Sequence, residues 1–237
     1  MKVIALLTGR GNNTLQDKNT LDILGHPVLY YPAHAAKKAN NIDDWYCSSD
    51  DEKILSSAER EGYKRIVRPA ELASPSSQHK DCIVHALRIM EKENNLPDIC
   101  VVILANNVTI KSVWIERCID IMKEGESITA VVPVYEDNDH HPLRAKSLNA
   151  DGTMSMYEKA FTGKVSTNRQ ELPKCYFLSH NFWVLRTKFV LSGMEGQQPW
   201  GFMGDVIRPY FIEQSIDIHH EEDLILAQKW IIENYND

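Results

Sequence analysis

Short, uniformly apolar runs alternate with helix-patterned segments along most of this 237-residue chain, and no other feature restricts its fold as much. The run Val3 to Leu7 precedes a helical pattern around Val28 to Lys38, and Asp44 to Ser48 precedes another over Glu52 to Glu61. The alternation continues through Arg65 to Val67, a helix from about Gln78 to Lys92, and the run Ile99 to Leu104. A helix from about Val113 to Lys123 and a strand over Ser127 to Val134 follow. This is the rhythm of βαβ units. Strands without a polar face must be covered on both sides, so the runs predict a mostly parallel sheet between helical layers. Pro32, which lacks an N–H, starts or kinks the first helix.

The rhythm stops between about Glu136 and Lys174, where Asp, Asn, His, Gly and Thr dominate and Thr153 to Tyr157 alternates like a hairpin strand. A stretch this long in a compact chain is usually functional or packs on a partner, so it is read as an inserted arm. Beyond it come an apolar strand, Asn181 to Leu185, a loop rich in Gly, Gln and Pro, a strand end at Ser215 to Ile218, and a helix over Glu221 to Glu233. Acids at the start of that helix suit its dipole. With 43% hydrophobic residues the chain can bury a sizeable core, and residues 1–237 are expected to form one domain with the arm at about 136–174.

Composition removes several classes of function. A formal charge of −7 argues against a broad nucleic-acid surface. The five cysteines are odd in number, scattered and free of any C-x-x-C, which fits reduced thiols and a cytoplasmic protein better than a disulfide frame or zinc site. Met1 leads straight into a strand, and no apolar run approaches the about 18 residues of a membrane span. Neither secretion nor membrane insertion is expected.

Chemistry enters at the end of the first run, in Thr8-Gly9-Arg10-Gly11-Asn12-Asn13-Thr14 and then Lys18-Asn19. Glycines let backbone approach a ligand, and Arg10 and Lys18 supply positive charge, so the loop suits a polyphosphate. It matches neither the G-x-x-x-x-G-K-[ST] loop nor the spaced-glycine dinucleotide loop. From these residues alone, a solvated strand-to-helix turn is an equal reading.

Further segments, in order along the chain, resemble the acylneuraminate cytidylyltransferase family, which joins nonulosonic acids to CMP from CTP. The opening Gly9-Arg10-Gly11 through Lys18-Asn19 is similar to its phosphate loop, although one residue shorter and without a midway lysine. Leu24-Gly25-His26-Pro27-Val28, Ser48-Ser49-Asp50-Asp51-Glu52 and Arg68-Pro69-Ala70-Glu71-Leu72-Ala73 each resemble one of its motifs. So do Arg169-Gln170-Glu171-Leu172-Pro173 and Ile216-Asp217-Ile218 with Glu222-Asp223. Three positions depart: Ala105-Asn106-Asn107-Val108-Thr109 replaces Gln-Pro-Thr-Ser-Pro, His219 replaces the second Asp of an Asp-x-Asp metal strand, and Phe177 replaces an arginine.

The resemblance implies an α/β, Rossmann-like nucleotidyltransferase: a three-layer sandwich with a dimerisation arm, active as a homodimer. It implies attack by an acceptor hydroxyl on the α-phosphate of CTP, pyrophosphate leaving in line, with Mg²⁺ as cofactor. Gly9, Arg10, Gly11, Asn12, Lys18 and Asn19 would hold the nucleotide, with Arg68, Ser76 and Ser77 near the base; the serines equally suit a helix N-cap. Asp217 would be the metal ligand. His219 would take the acceptor's proton or reach the metal through water, or else only begin the last helix. Asn106 and Asn107 would bind sugar or metal-bound water, or form an Asx turn. Arg169, Arg144 and Lys146 are candidates for the sugar carboxylate or for ion pairs within the arm. Trp183 and Trp200 would wall the sugar or belong to the core. Rival outcomes are nucleotidyl transfer to another sugar acid or a sugar phosphate, and a catalytically weak nucleotide-binding homologue.

Overall fold

The computed structural model describes residues 1–11 and 15–235. Strand β1 (Val3–Thr8) leads through the phosphate-loop segment to a two-residue ribbon, β2 (Asp22–Ile23) and β3 (His26–Pro27), and then to α1 (Tyr30–Lys38). Next come β4 (Asp44–Ser49), α2 (Glu52–Arg60), β5 (Lys64–Val67), α3 (His79–Lys92), β6 (Ile99–Leu104), α4 (Ser112–Lys123) and β7 (Ala130–Glu136). The arm carries the hairpin β8 (Lys146–Leu148) and β9 (Met154–Met156). It is followed by β10 (Tyr176–Leu178), β11 (Phe182–Arg186), α5 (Thr187–Ser192), β12 (Ile207–Phe211) and α6 (Glu221–Asn234).

The main sheet has the order β10-β7-β11-β6-β1-β4-β5, with β12 also paired to β7. Strands β5, β4, β1 and β6 run parallel, as β12 does to β7, whereas β11 enters antiparallel between β6 and β7. Side chains of β1 divide by the two-residue period of a strand. Val3, Ala5 and Leu7 join α1, α2 and α4 on one face, while Ile4 and Leu6 join α3 on the other. That is the three-layer sandwich expected. A third cluster docks α6 through Ala227, Trp230 and Ile231 onto Val28, Tyr31, Val108 and Ile218, beside the ends of β1 and β6.

Local chemistry explains the boundaries. Pro32 sits in the first turn of α1, where its missing N–H has no intrahelical partner to lose. Asp51 caps α2 by accepting from the backbone N–H groups of Lys53 and Ile54. Buried Arg186 takes up the carbonyls at the end of α4 and just beyond, Met122 and Gly125 at 2.8 Å and Ile128 at 2.7 Å.

Two expectations change. Ser215 to Ile218 is not a strand; a lone antiparallel bridge joins Asn107 to Asp217. The strand on that side is β12, whose Arg208 and Pro209 give it the polar, donor-poor look of a loop, as an edge strand can have.

Candidate active site

The parallel strands place their carboxyl ends together, the end of an open α/β sheet where ligands bind. A cleft of about 280 Å³ opens there, lined among others by Thr8, Gly9, Arg10, Lys18, Asn19, Arg68, Ser77, His79 and Asn106. Gly9 is needed for close packing: a Cβ there would lie 3.1 Å from that of Ala105 and 3.3 Å from Asn19 Nδ2. A Cβ on Gly11 would come within 2.8 Å of the Asp51 carboxylate. Asn12 lies outside the described residues.

One side chain closes this loop on itself and two, from Lys18 and Arg10, tie it to distant segments. Asn19, buried, donates to the Arg10 carbonyl at 3.1 Å. Lys18, also buried, donates from Nζ to the Ile218 carbonyl at 3.0 Å. Burial lowers the Lys18 pKa, against the pull of nearby Asp217. Arg10 reaches across to the Ser74 carbonyl at 2.8 Å and so spans the cleft mouth.

The opposite wall begins with Arg68. It is buried and donates to the Ser48 carbonyl at 2.7 Å and to its hydroxyl at 3.3 Å. The Ser74 hydroxyl bonds both Ser77 Oγ, at 2.7 Å, and Ser76 Oγ, at 3.2 Å; Ser77 also donates to the Glu71 carbonyl. Ser77 lines the cleft and Ser76 is exposed. Neither caps α3, whose N-cap is Gln78. His79 was not anticipated. Thr8 Oγ1 donates to the Ile103 carbonyl, so the His79 Nε2–H donates to Thr8 at 3.0 Å. Burial, then the Arg68 charge and His180, push the His79 pKa down to about 3 and keep its ring neutral. Nothing in the pattern around His79 separates it from an ordinary residue at a helix start.

The third side carries Asp217. One carboxylate oxygen accepts from the Asn106 amide and the other pairs with His219 Nε2 at 3.1 Å. Burial raises the Asp217 pKa, opposed by His219 and Lys18. The His219 side chain faces Asp217, while its backbone N–H and that of His220 donate to Asp223 at the start of α6. Asn106 is in the site. Asn107 is fully buried; its Oδ1 accepts from Thr109 N–H and its amide donates to Ser215, so it is the Asx turn and not a sugar ligand.

Two further expectations are corrected. Trp183 is 1% exposed, its indole N–H donating to the Ser179 carbonyl, so it backs the site from the core and cannot wall a sugar. Trp200 is half-buried and packs on His180. The arm cations do not line the cleft in this chain: Arg144 and Arg169 both pair with Asp139, and Lys146 is exposed on β8. The exposed, polar arm favours such local pairing.

Known proteins share the sequence pattern and the fold of this chain. The sequence profile of the cytidylyltransferase family matches residues 8–182. Pseudaminic acid cytidylyltransferase of Campylobacter jejuni is 23% identical over 192 residues, covering 79% of this chain and 80% of that protein. N-acylneuraminate cytidylyltransferase of Escherichia coli is 33% identical over 89 residues, 37% of this chain and 21% of that protein. Among solved structures, CMP:2-keto-3-deoxy-manno-octonic acid synthetase complexed with CTP superposes with a TM-score of 0.71 at 14% identity, covering 98% of this chain and 99% of that one. The 4-diphosphocytidyl-2C-methyl-D-erythritol synthase of Anaerococcus prevotii gives 0.67 at 13%, covering 98% and 96%. With three-quarters of its length inside the profile and its cleft at the carboxyl edge of a mostly parallel sheet, the chain belongs to the cytidylyltransferase family.

Proposed function

We propose that this cytidylyltransferase transfers CMP from CTP to a nonulosonic acid of the sialic, legionaminic or pseudaminic type, releasing pyrophosphate. The convergence of Lys18 and Asn106, which line the cleft, with Asp217 and His219, to which they are joined, carries the reading. The curated relatives with named sugar substrates are cytidylyltransferases of such acids. Arg10 and Lys18 would hold the triphosphate, and Gly9, Gly11 and Asn19 shape the loop around it. Arg68 with Ser76 and Ser77 would face the base. The acceptor oxygen forms its bond to the α-phosphorus as the bond to pyrophosphate breaks, and the acceptor's proton leaves. His219, whose Nε2 pairs with Asp217, would take that proton.

Mg²⁺ is the proposed cofactor. Among the described residues no group of three or more His, Cys, Asp or Glu could hold an ion. Asp217 offers one half-buried carboxylate, and its raised pKa is what burial of an under-compensated anion produces. Mg²⁺ takes one or two carboxylates with phosphate oxygens and water, so this donor set fits an ion shared with the triphosphate. When bound, it neutralises charge on the phosphates.

No helix among the described residues is long and apolar enough to cross a membrane. We also place the protein in the cytoplasm, as its scattered thiols suit. A homodimer is proposed from the arm, which leaves Leu148, Met154 and Tyr157 largely exposed. Full activity from a particle of monomer mass in light scattering would end that part. The central test is pyrophosphate release with Mg²⁺, each of CTP, ATP, GTP and UTP, and a panel of keto sugar acids. CTP with one nonulosonic acid should dominate; a sugar phosphate as best acceptor, or equal use of two nucleotides, would overturn the reading.

A further inference from the structure

Between β10 and β11 the chain passes through Ser179, His180 and Asn181, and its outer two residues are locked while the middle one is half-buried. Ser179 is fully buried; its N–H donates to the Pro133 carbonyl at 2.8 Å and its hydroxyl to Ser215 Oγ at 2.8 Å. Asn181 is also fully buried. Its carbonyl accepts from Leu104 N–H at 3.0 Å, its Oδ1 from Phe182 N–H at 2.7 Å, and its amide donates to the Thr109 carbonyl at 2.8 Å. Because β11 runs against β6, its beginning lies at the carboxyl end of β6, immediately before Asn106. His180 is thereby fixed to two segments of the site: the end of β6, and Ser215 two residues before Asp217.

Its ring is fixed as well. His180 lies 5.4 Å from the Trp200 ring and 5.8 Å from that of Trp183, which on another side meets His79 at 5.1 Å. Trp200 is held from outside: its loop turns back through Gly196 N–H on the Gly201 carbonyl, and Glu195 in that loop is paired to Lys80 of α3. His180 is within electrostatic reach of Asp217 and His219 but does not line the nucleotide cleft. Polar atoms held on a rigid backbone, beside an indole face and next to the reacting end of a cleft, form a recognition surface.

We propose that His180, backed by Trp200, is a specificity-determining residue for the acceptor: its imidazole hydrogen-bonds a hydroxyl or acyl-amide of the sugar acid while the indole meets an apolar face of the same molecule. This rests on the cytidylyl-transfer reading. Its role is separate from that of Lys18 and Arg68, which face the nucleotide.

The test is steady-state kinetics of the full-length protein with CTP and N-acetylneuraminic acid, pseudaminic acid and 2-keto-3-deoxy-manno-octonic acid as acceptors. Wild type, His180→Ala, His180→Asn and Trp200→Phe are compared, with circular dichroism melting as the check on folding. For the best wild-type acceptor, His180→Ala should raise the acceptor KM by about tenfold or more, as loss of a hydrogen bond in a confined site does. The KM for CTP should stay within twofold. His180→Asn should recover part of the loss, and the order of preference among the acceptors should change. A folded His180→Ala or His180→Asn protein with wild-type acceptor KM and preference would overturn the proposal. So would equal rises in both KM values. Should wild type release no pyrophosphate with any of the three acids or with legionaminic acid, the parent reading fails instead.

Discussion

Cleft and arm use the same cationic residue types in opposite ways. Lys18 and Arg68 are buried and donate to backbone carbonyls, Ile218 and Ser48, which fix them in place without cancelling their charge. Arg144 and Arg169 are exposed and share the Asp139 carboxylate, and Lys174 pairs with Glu136. A carbonyl orients a cation and leaves its field for a ligand; a carboxylate neutralises it. Charge held in the first way costs desolvation, visible in the lowered Lys18 pKa, and is rarely kept without use.

The largest effect should come from the anion among these cations. Asp217→Asn removes the single carboxylate paired with His219 and should cut turnover by about a hundredfold or more with melting temperature nearly unchanged. Wild-type turnover at saturating Mg²⁺ would remove Asp217 from the site. Next, Lys18→Met keeps the length of the side chain but loses its charge. A drop of about tenfold to a hundredfold in kcat/KM for CTP is expected, with a small loss of stability from the abandoned Ile218 carbonyl. A change under threefold would make Lys18 a structural tie only.

The comparison sharpens with pH. His79, held down to about 3, stays neutral in the folded protein while in the unfolded chain it takes a proton near the ordinary histidine value. Its contribution to stability is therefore complete above about pH 6.5 and is lost as pH falls from there toward 3. Melting temperatures between pH 7.5 and 4.5 should fall less steeply for His79→Gln than for wild type, and equal slopes would contradict this. The smallest effect belongs to Arg169→Ala: stability within about 0.5 kcal/mol, as for surface ion pairs generally. Acceptor KM within threefold is expected if the arm pairs persist in the assembly. A tenfold rise would show the arm cations working in a neighbouring subunit's site.

The sheet was legible because β1 and β6 are apolar on both faces, and a run such as Ile99–Leu104 has no other stable place. The helix over Glu52 to Glu61 was legible because what starts it is local, Asp51 capping the N–H groups of Lys53 and Ile54. The edge strand β12 was not, since Arg208 and Pro209 mask it. The site was legible where close approach leaves no room for a side chain, at Gly9 and Gly11, and where the resemblance singles out a position that lines the cleft, as at Arg68. It was not legible at His79 and His180, whose roles arise from tertiary neighbours: Thr8 and Trp183 for one, Trp200 and the anchored Ser179 and Asn181 for the other. For the same reason Trp183 and Asn107 belong among polar or aromatic residues that the core has taken in.

The hydrogen bond from Lys18 to Ile218 joins residues 200 positions apart. During synthesis the first strand and its loop leave the ribosome long before their partner exists, so the growing chain can pair β1 with β4 and β6 but cannot finish the cradle proposed for the triphosphate. Competence to hold CTP should thus arrive abruptly, with the docking of the last segment, after most of the protein has already folded.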